Sequence, residues 1–179
     1  RVVAYARSKN SGILIEGELG YIGSSSQILK EIPKGAAVGE KDLTKPEEAA
    51  RFVKETGVDL LAPAVGNLHG MFANVPNPHL NIARIKAIKK ALRQAQGKPV
   101  PLVLHGGSGT PEEDFLKAIE AGISIIHIST ELRVAWRKGL EESLRKNTEE
   151  VTPYKLMTQP LESVKAVVKK RLQLFSRMS

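Results

Sequence analysis

The chain has no cysteine, which excludes disulfides and thiolate chemistry and suits a reducing cytoplasm, the expected location. Aromatic residues make up only 4%, too few to supply stacking platforms for single-stranded nucleic acid. Runs of apolar residues fall well short of the roughly 20 that span a bilayer, and the first residues lack a signal-peptide pattern. Neither a membrane nor a nucleic acid is therefore an expected partner. The chain also opens on Arg1 rather than Met, in what reads as a helix, so it is expected to be a piece of a longer protein.

What is present is basic. The formal charge is +8, carried unevenly by Lys165, Lys169, Lys170, Arg171 and Arg177 near the end and by Lys86, Lys89, Lys90 and Arg93 in the middle. Both runs alternate with apolar residues at helical spacing, the pattern of a solvated outer helix face. An anionic small substrate remains compatible with this charge. At 179 residues the chain is long enough for one domain with a real core.

Periodicity predicts alternating strands and helices. Strands are expected at Ile13–Gly17, Leu60–Val65, Val100–Leu104 and Ile123–Ile128, with Pro63 discordant because proline removes a ladder donor. A polar stretch from Leu19 to Leu43 reads as a long functional or mobile loop. Helices are expected after Thr44-Lys45-Pro46-Glu47 and Thr110-Pro111-Glu112-Glu113, both read as capping boxes. Others are expected near Ile82–Leu92, from about Glu131 to Lys146 and from about Leu161. Trp136 shares its helical spacing with Leu132 and Leu140 and is expected in the core. The whole reads as α/β: four βα units of a parallel sheet, half of a (β/α)₈ TIM barrel. Residues 1–179 are expected to form one domain, a partial barrel, with 147–179 as a C-terminal helical extension.

Two histidines follow strand-like runs and precede glycine, in Gly66-Asn67-Leu68-His69-Gly70 and Leu104-His105-Gly106-Gly107-Ser108-Gly109. The carboxyl ends of parallel strands open on one face, where sites are built. Two imidazoles arriving there can converge on one ion; each alone reads equally well as a hydrogen-bonded structural residue. Glycine beyond each lets backbone approach a ligand. A Gly-rich turn feeding a helix N-terminus is also an anion site. His79, in Asn77-Pro78-His79-Leu80, reads as a surface residue.

With Glu16-Gly17-Glu18-Leu19-Gly20, Gly57-Val58-Asp59 and Ile128-Ser129-Thr130-Glu131, these motifs, taken in order, resemble the class II, zinc-dependent ketose-bisphosphate aldolases. The resemblance runs from Arg1 to about Lys146 and corresponds to the C-terminal half of such an enzyme. It implies that His69 and His105 are zinc ligands and that Glu18 serves a second, accessory metal position. Gly70, Gly106, Gly107 and Ser108 would hold a substrate phosphate, with Ser129 and Thr130 completing the cradle. The third His, and the Asp that handles the proton on the substrate hydroxyl, would lie upstream of Arg1.

The activity so implied is reversible aldol cleavage of fructose or tagatose 1,6-bisphosphate to dihydroxyacetone phosphate and glyceraldehyde 3-phosphate, by a homodimer or homotetramer at full length. Three departures stand out. Ser24, Ser25 and Ser26 occupy a region where relatives carry acidic residues. His127 replaces an Asn that contacts substrate, and reads either as a site residue or as a satisfied interior His. Ala73 stands where a phosphate-contacting Lys is frequent. A barrel that binds sugar phosphate or metal without catalysis is the alternative reading, and a basic nucleic-acid module is a third.

Overall fold

The computed structural model describes residues 1–97 and 99–176; Arg177, part of the basic run noted above, lies outside them. Four parallel strands form the central sheet in the order β1 (Glu16–Leu19), β3 (Leu60–Pro63), β5 (Leu102–Leu104), β6 (Ile123–Ile126). Helices connect them in turn: α2 (Pro46–Thr56), α3 (Ile82–Gln96) and α4 (Glu112–Ala121), with α5 (Thr130–Lys146) after β6. Spatial order therefore follows chain order, one βα unit after another. The helix α1 (Val2–Lys9) precedes β1, and α6 (Pro153–Leu156) and α7 (Thr158–Ser176) close the described chain. None of the described helices is long and apolar enough to cross a membrane.

The core lies between the sheet and its helices. Leu61, Leu102 and Leu104 from the strands meet Ile85, Ile88 and Phe115 from α3 and α4, all of them fully buried. Burying a side chain of this kind contributes about 1.5–3 kcal/mol. Each of α2, α3 and α4 stops at a glycine with left-handed backbone, at Gly57, Gly97 and Gly122, which only a residue without Cβ adopts readily. Asn81 caps α3 by accepting the Arg84 N–H at 2.9 Å.

Several expected boundaries move, each for a visible reason. Ile13 and Leu14 are exposed, and Ile15 N–H donates to the Asp59 carboxylate, so the first strand begins only at Glu16. The second ends at Pro63, opposite Leu19, since proline has no N–H to continue the ladder. Thr44 and Thr110 do not cap helices: α2 and α4 have Lys45 and Pro111 at their N-caps, neither with a side-chain bond. Instead Thr44 Oγ1 donates to Leu19 O at 2.7 Å and accepts Ala64 N–H at 2.9 Å. It stitches the ends of β1 and β3 together.

The stretch between Leu19 and Leu43 is anchored rather than loose. It carries β2 (Ile28–Leu29), which pairs in parallel with β4 (Met71–Phe72), and Ile22 within it is buried. Trp136 is not core either, being 39% exposed. The reason is that α5 turns small residues, Gly139 and Ser143, inward; a Cβ on Gly139 would come within 2.8 Å of Pro160 on α7. Close approach of α7 leaves the Leu132–Trp136 side of α5 facing out.

Thr44→Val is expected to lower stability by about 1–3 kcal/mol, because it leaves a buried carbonyl and amide with one partner fewer. Urea unfolding of the variant beside the parent chain measures this.

Candidate functional site

Carboxyl ends of all four sheet strands meet at one edge, and the sequence-predicted residues come together there. Glu16 and Glu18 alternate along β1 and so share a face, while Gly17 between them turns toward Phe52 and Val58 of the core. His105, immediately after β5, lies between the two carboxylates. Its Nε2 is 2.5 Å from Glu16 Oε1 and its Nδ1 is 2.5 Å from Glu18 Oε2. His69, beyond β3, places Nε2 3.9 Å from the same Glu18 oxygen. The ring of His127, just past β6, stacks on that of His105 at 4.8 Å and 21°.

Ligand atoms of Glu18, His69 and His105 all fall within 4.8 Å of one another, as do those of Glu16, His105 and His127. Nitrogen and carboxylate oxygen donors in such a cluster suit a divalent transition cation. Desolvation holds the His69 imidazole below its usual 6.5, with Glu18 pulling the other way and His105 adding to the depression. At pH 7 His69 is neutral and keeps a lone pair for a ligand. A third cluster, His79, Glu113 and Asp114, has a structural explanation. Buried Asp114 accepts the Leu80 N–H at 2.8 Å and bonds His79 Nδ1 at 3.0 Å, while the His79 ring itself is exposed, as expected.

Next to the imidazoles lies a cavity of about 180 Å³ lined by Ser26, His69, Gly70, His105, Gly106, Ser108, His127, Ser129 and Thr130. Every residue expected to bind substrate lines it except Gly107, whose N–H donates to His127 O at 3.1 Å. Gly106 and Gly109 both have positive φ, and the turn between them folds tightly under the cavity. The Ser108 hydroxyl accepts the N–H groups of Ser129 and Glu131, both at 3.2 Å, and thereby caps α5. Among the described residues, the Gly106 and Ser108 amides have no backbone acceptor.

Glu16 and two asparagines belong to this site although the sequence reading did not single them out as site residues. Asn67 Nδ2 donates to His105 O at 3.0 Å, tying the two histidine turns. Buried Asn77 donates to Gly70 O at 3.0 Å and Ser108 O at 3.1 Å, and accepts the Phe72 N–H. The alternation Glu-Gly-Glu was a signal for Glu16. Neither asparagine carries a signal for the bond that ties the two turns, because those partners, His105 O and Ser108 O, lie 38 and 31 residues away.

Asn77→Ala is expected to lower stability by about 2 kcal/mol or more, since it strips partners from three backbone groups in a buried place. Faster hydrogen exchange at Phe72 would accompany the loss and distinguish it from a remote effect.

Residues 1–178 match the family described as fructose-bisphosphate aldolase class-II. A fructose-bisphosphate aldolase of Thermus caldophilus is 36% identical over 92% of this chain and 57% of its own length. A 6-phospho-5-dehydro-2-deoxy-D-gluconate aldolase of Shouchella clausii is also 36% identical, over 97% of this chain and 53% of its own. The solved YdjI aldolase of Escherichia coli K12 superposes with a TM-score of 0.67 at 31% identity, covering 97% of this chain and 53% of that one. The chain thus spans about half the length of the relatives it matches, and its four βα units are part of a (β/α)₈-barrel fold.

Proposed function

The chain belongs to the class-II fructose-bisphosphate aldolase family, and on that premise we propose that it contributes half of the active site of a zinc-dependent aldolase acting on a ketose 1,6-bisphosphate. One observation carries the reading: ligand atoms of His69, His105 and Glu18 cluster within 4.8 Å beside a cavity lined by the glycine turn at Gly106 and Ser108. His69 and His105 would hold the zinc ion, with Glu18 at an accessory metal position. When bound, zinc supplies Lewis-acid polarisation of the ketose carbonyl.

The chain's own residues position and exclude. Glu16 and Glu18 flank the two ring nitrogens of His105; with one nitrogen turned to the ion, the carboxylate at the other would orient the ring, the role carboxylates play behind metal-bound imidazoles. His127 covers one face of that ring and walls off the cavity. A substrate phosphate would meet the Gly106 and Ser108 amides and the Ser129 and Thr130 hydroxyls, at the positive end of α5. This holds the ketose in one orientation, with its carbonyl toward the histidines. Ser24, Ser25 and Ser26 offer no acid or base; the family resemblance implies an Asp outside residues 1–179 for the proton on the departing aldehyde's hydroxyl.

In the enzyme that contains this chain, His69→Ala and His105→Ala are each expected to remove most bound zinc and the cleavage activity with it. Metal analysis alongside a cleavage assay with fructose and tagatose bisphosphates tests both points. Full zinc occupancy in His105→Ala would overturn the ligand assignment. Retained zinc-dependent phosphate binding without cleavage of any ketose phosphate would favour the non-catalytic alternative.

Residues 1–179 alone are expected to show no turnover, because with Glu18 at the accessory position the two imidazoles assigned to zinc fall one short of the usual three protein ligands of catalytic zinc. Zinc-dependent cleavage by the purified 179-residue chain would show that the acid and the third ligand lie within it.

A further inference from the structure

The glycine turn beneath the cavity is braced from the far end of the chain. Glu131, in the first turn of α5, accepts the Gly109 N–H through Oε1 at 2.9 Å. Its own backbone N–H donates to Ser108 Oγ, so one residue holds two successive positions of the turn. Arg171 of α7 grips the same carboxylate with both prongs, Nε to Oε2 at 2.8 Å and Nη2 to Oε1 at 2.7 Å. Both side chains are largely buried, 14% and 11% exposed for Arg171 and Glu131, and the guanidinium lies 5.1 Å from the centroid of the Phe115 ring.

This pair is not an easy one to keep. Arg171 Nη1 is buried without a hydrogen-bond partner. The carboxylate of Glu112 stands 3.9 Å from it but is drawn to Lys170 at 2.6 Å. Apolar residues of similar volume often replace a buried ion pair without loss of stability. Packing alone therefore gives little reason for a half-satisfied guanidinium here. Its position does give one. The Glu131 carboxylate sits one residue from the Ser108 amide, where a substrate phosphate is proposed to bind, and two anions that close repel strongly in a partly desolvated place.

We propose that Arg171 and Glu131 are positioning residues for phosphate recognition. Glu131 fixes the turn through Gly109 and so aims the Ser108 amide, and Arg171 both orients and neutralises that carboxylate so that a second anion is admitted beside it. The inference rests on the aldolase reading for the identity of the anion, and on the geometry of the turn for the rest.

The test is steady-state kinetics on a ketose bisphosphate, together with inorganic phosphate affinity by calorimetry, in the enzyme containing this chain. Arg171→Met should raise KM and weaken inorganic phosphate binding by about tenfold while kcat changes little, the signature of lost substrate positioning. Glu131→Gln should have a small effect, since the amide oxygen still accepts the Gly109 N–H. Arg171→Met combined with Glu131→Gln should recover most of the lost affinity, because no uncompensated carboxylate remains. Thermal unfolding of each variant is measured alongside: a merely structural tie between α5 and α7 would change stability and leave the KM and phosphate affinity of the folded enzyme unmoved. Unchanged KM in Arg171→Met, or a double variant as impaired as the single one, overturns the proposal. Should the parent enzyme cleave no ketose phosphate, the catalytic reading fails, and phosphate affinity alone decides. Weakening in the single variant and recovery in the double uphold the brace; equal binding by all, or none by the parent, overturns it. Arg171→Gln, alone and with Glu131→Gln, makes the same comparison with the same outcomes if the methionine variant does not fold.

Discussion

Between the turn after β3 and the turn after β5 there is no space for a side chain. A Cβ on Gly106 would lie 2.1 Å from the carbonyl oxygen of Leu68, and Gly106 has φ +60 as well. This backbone-to-backbone approach sets the spacing of the two loops and so brings the rings of His69 and His105 to 6.0 Å. The parallel register supplies the other half of the constraint: Glu18 pairs with Ala62 and so ends up beside both imidazoles. Any residue larger than glycine at position 106 would push apart the two elements on which the cluster depends, whatever the histidines themselves could do.

Much of the architecture was legible in the chain because the relevant signals are local. Short apolar runs separated by amphipathic stretches are enough to count four βα units, and Gly57, Gly97 and Gly122 mark helix ends by backbone conformation alone. Where the reading failed, a distant partner had taken a residue away from its local role. Thr44 and Thr110 look like caps, yet Thr44 is claimed by Leu19 and Ala64. Trp136 looks like core, yet α7 lies so close to α5 that the small-residue side is buried instead. The motif residues of the site could be gathered because each follows a strand, and strand ends converge. Asn67, Asn77 and Arg171 could not, since nothing in their neighbourhood indicates which backbone group or carboxylate they meet.

The site is layered. Imidazoles and carboxylates form the surface that faces the cavity, and beneath them lies a shell of buried polar residues that bond backbone rather than each other. Asn67 and Asn77 bridge the two glycine turns, Thr44 joins two strand ends, and Asp114 anchors the chain at Leu80. Asn67, Asn77 and Asp114 satisfy amides or carbonyls of irregular backbone, the requirement that any buried loop must meet, while Thr44 reinforces the Ala64–Leu19 backbone bond. The glycine turns are thereby held rigid without side chains of their own, which is what a backbone anion site needs.

The bonds that assemble this edge span long stretches of chain. His105 reaches carboxylates 87 and 89 positions away, and Arg171 reaches Glu131 over 40. Helical turns close within a microsecond or so, whereas contacts between distant residues must wait for the intervening chain to be organised. The cluster of imidazoles and carboxylates therefore cannot assemble before the strands that carry it are paired. A cation that needs Glu18, His69 and His105 together would bind only a chain whose β1, β3 and β5 are already in register, and so would report on the completion of folding.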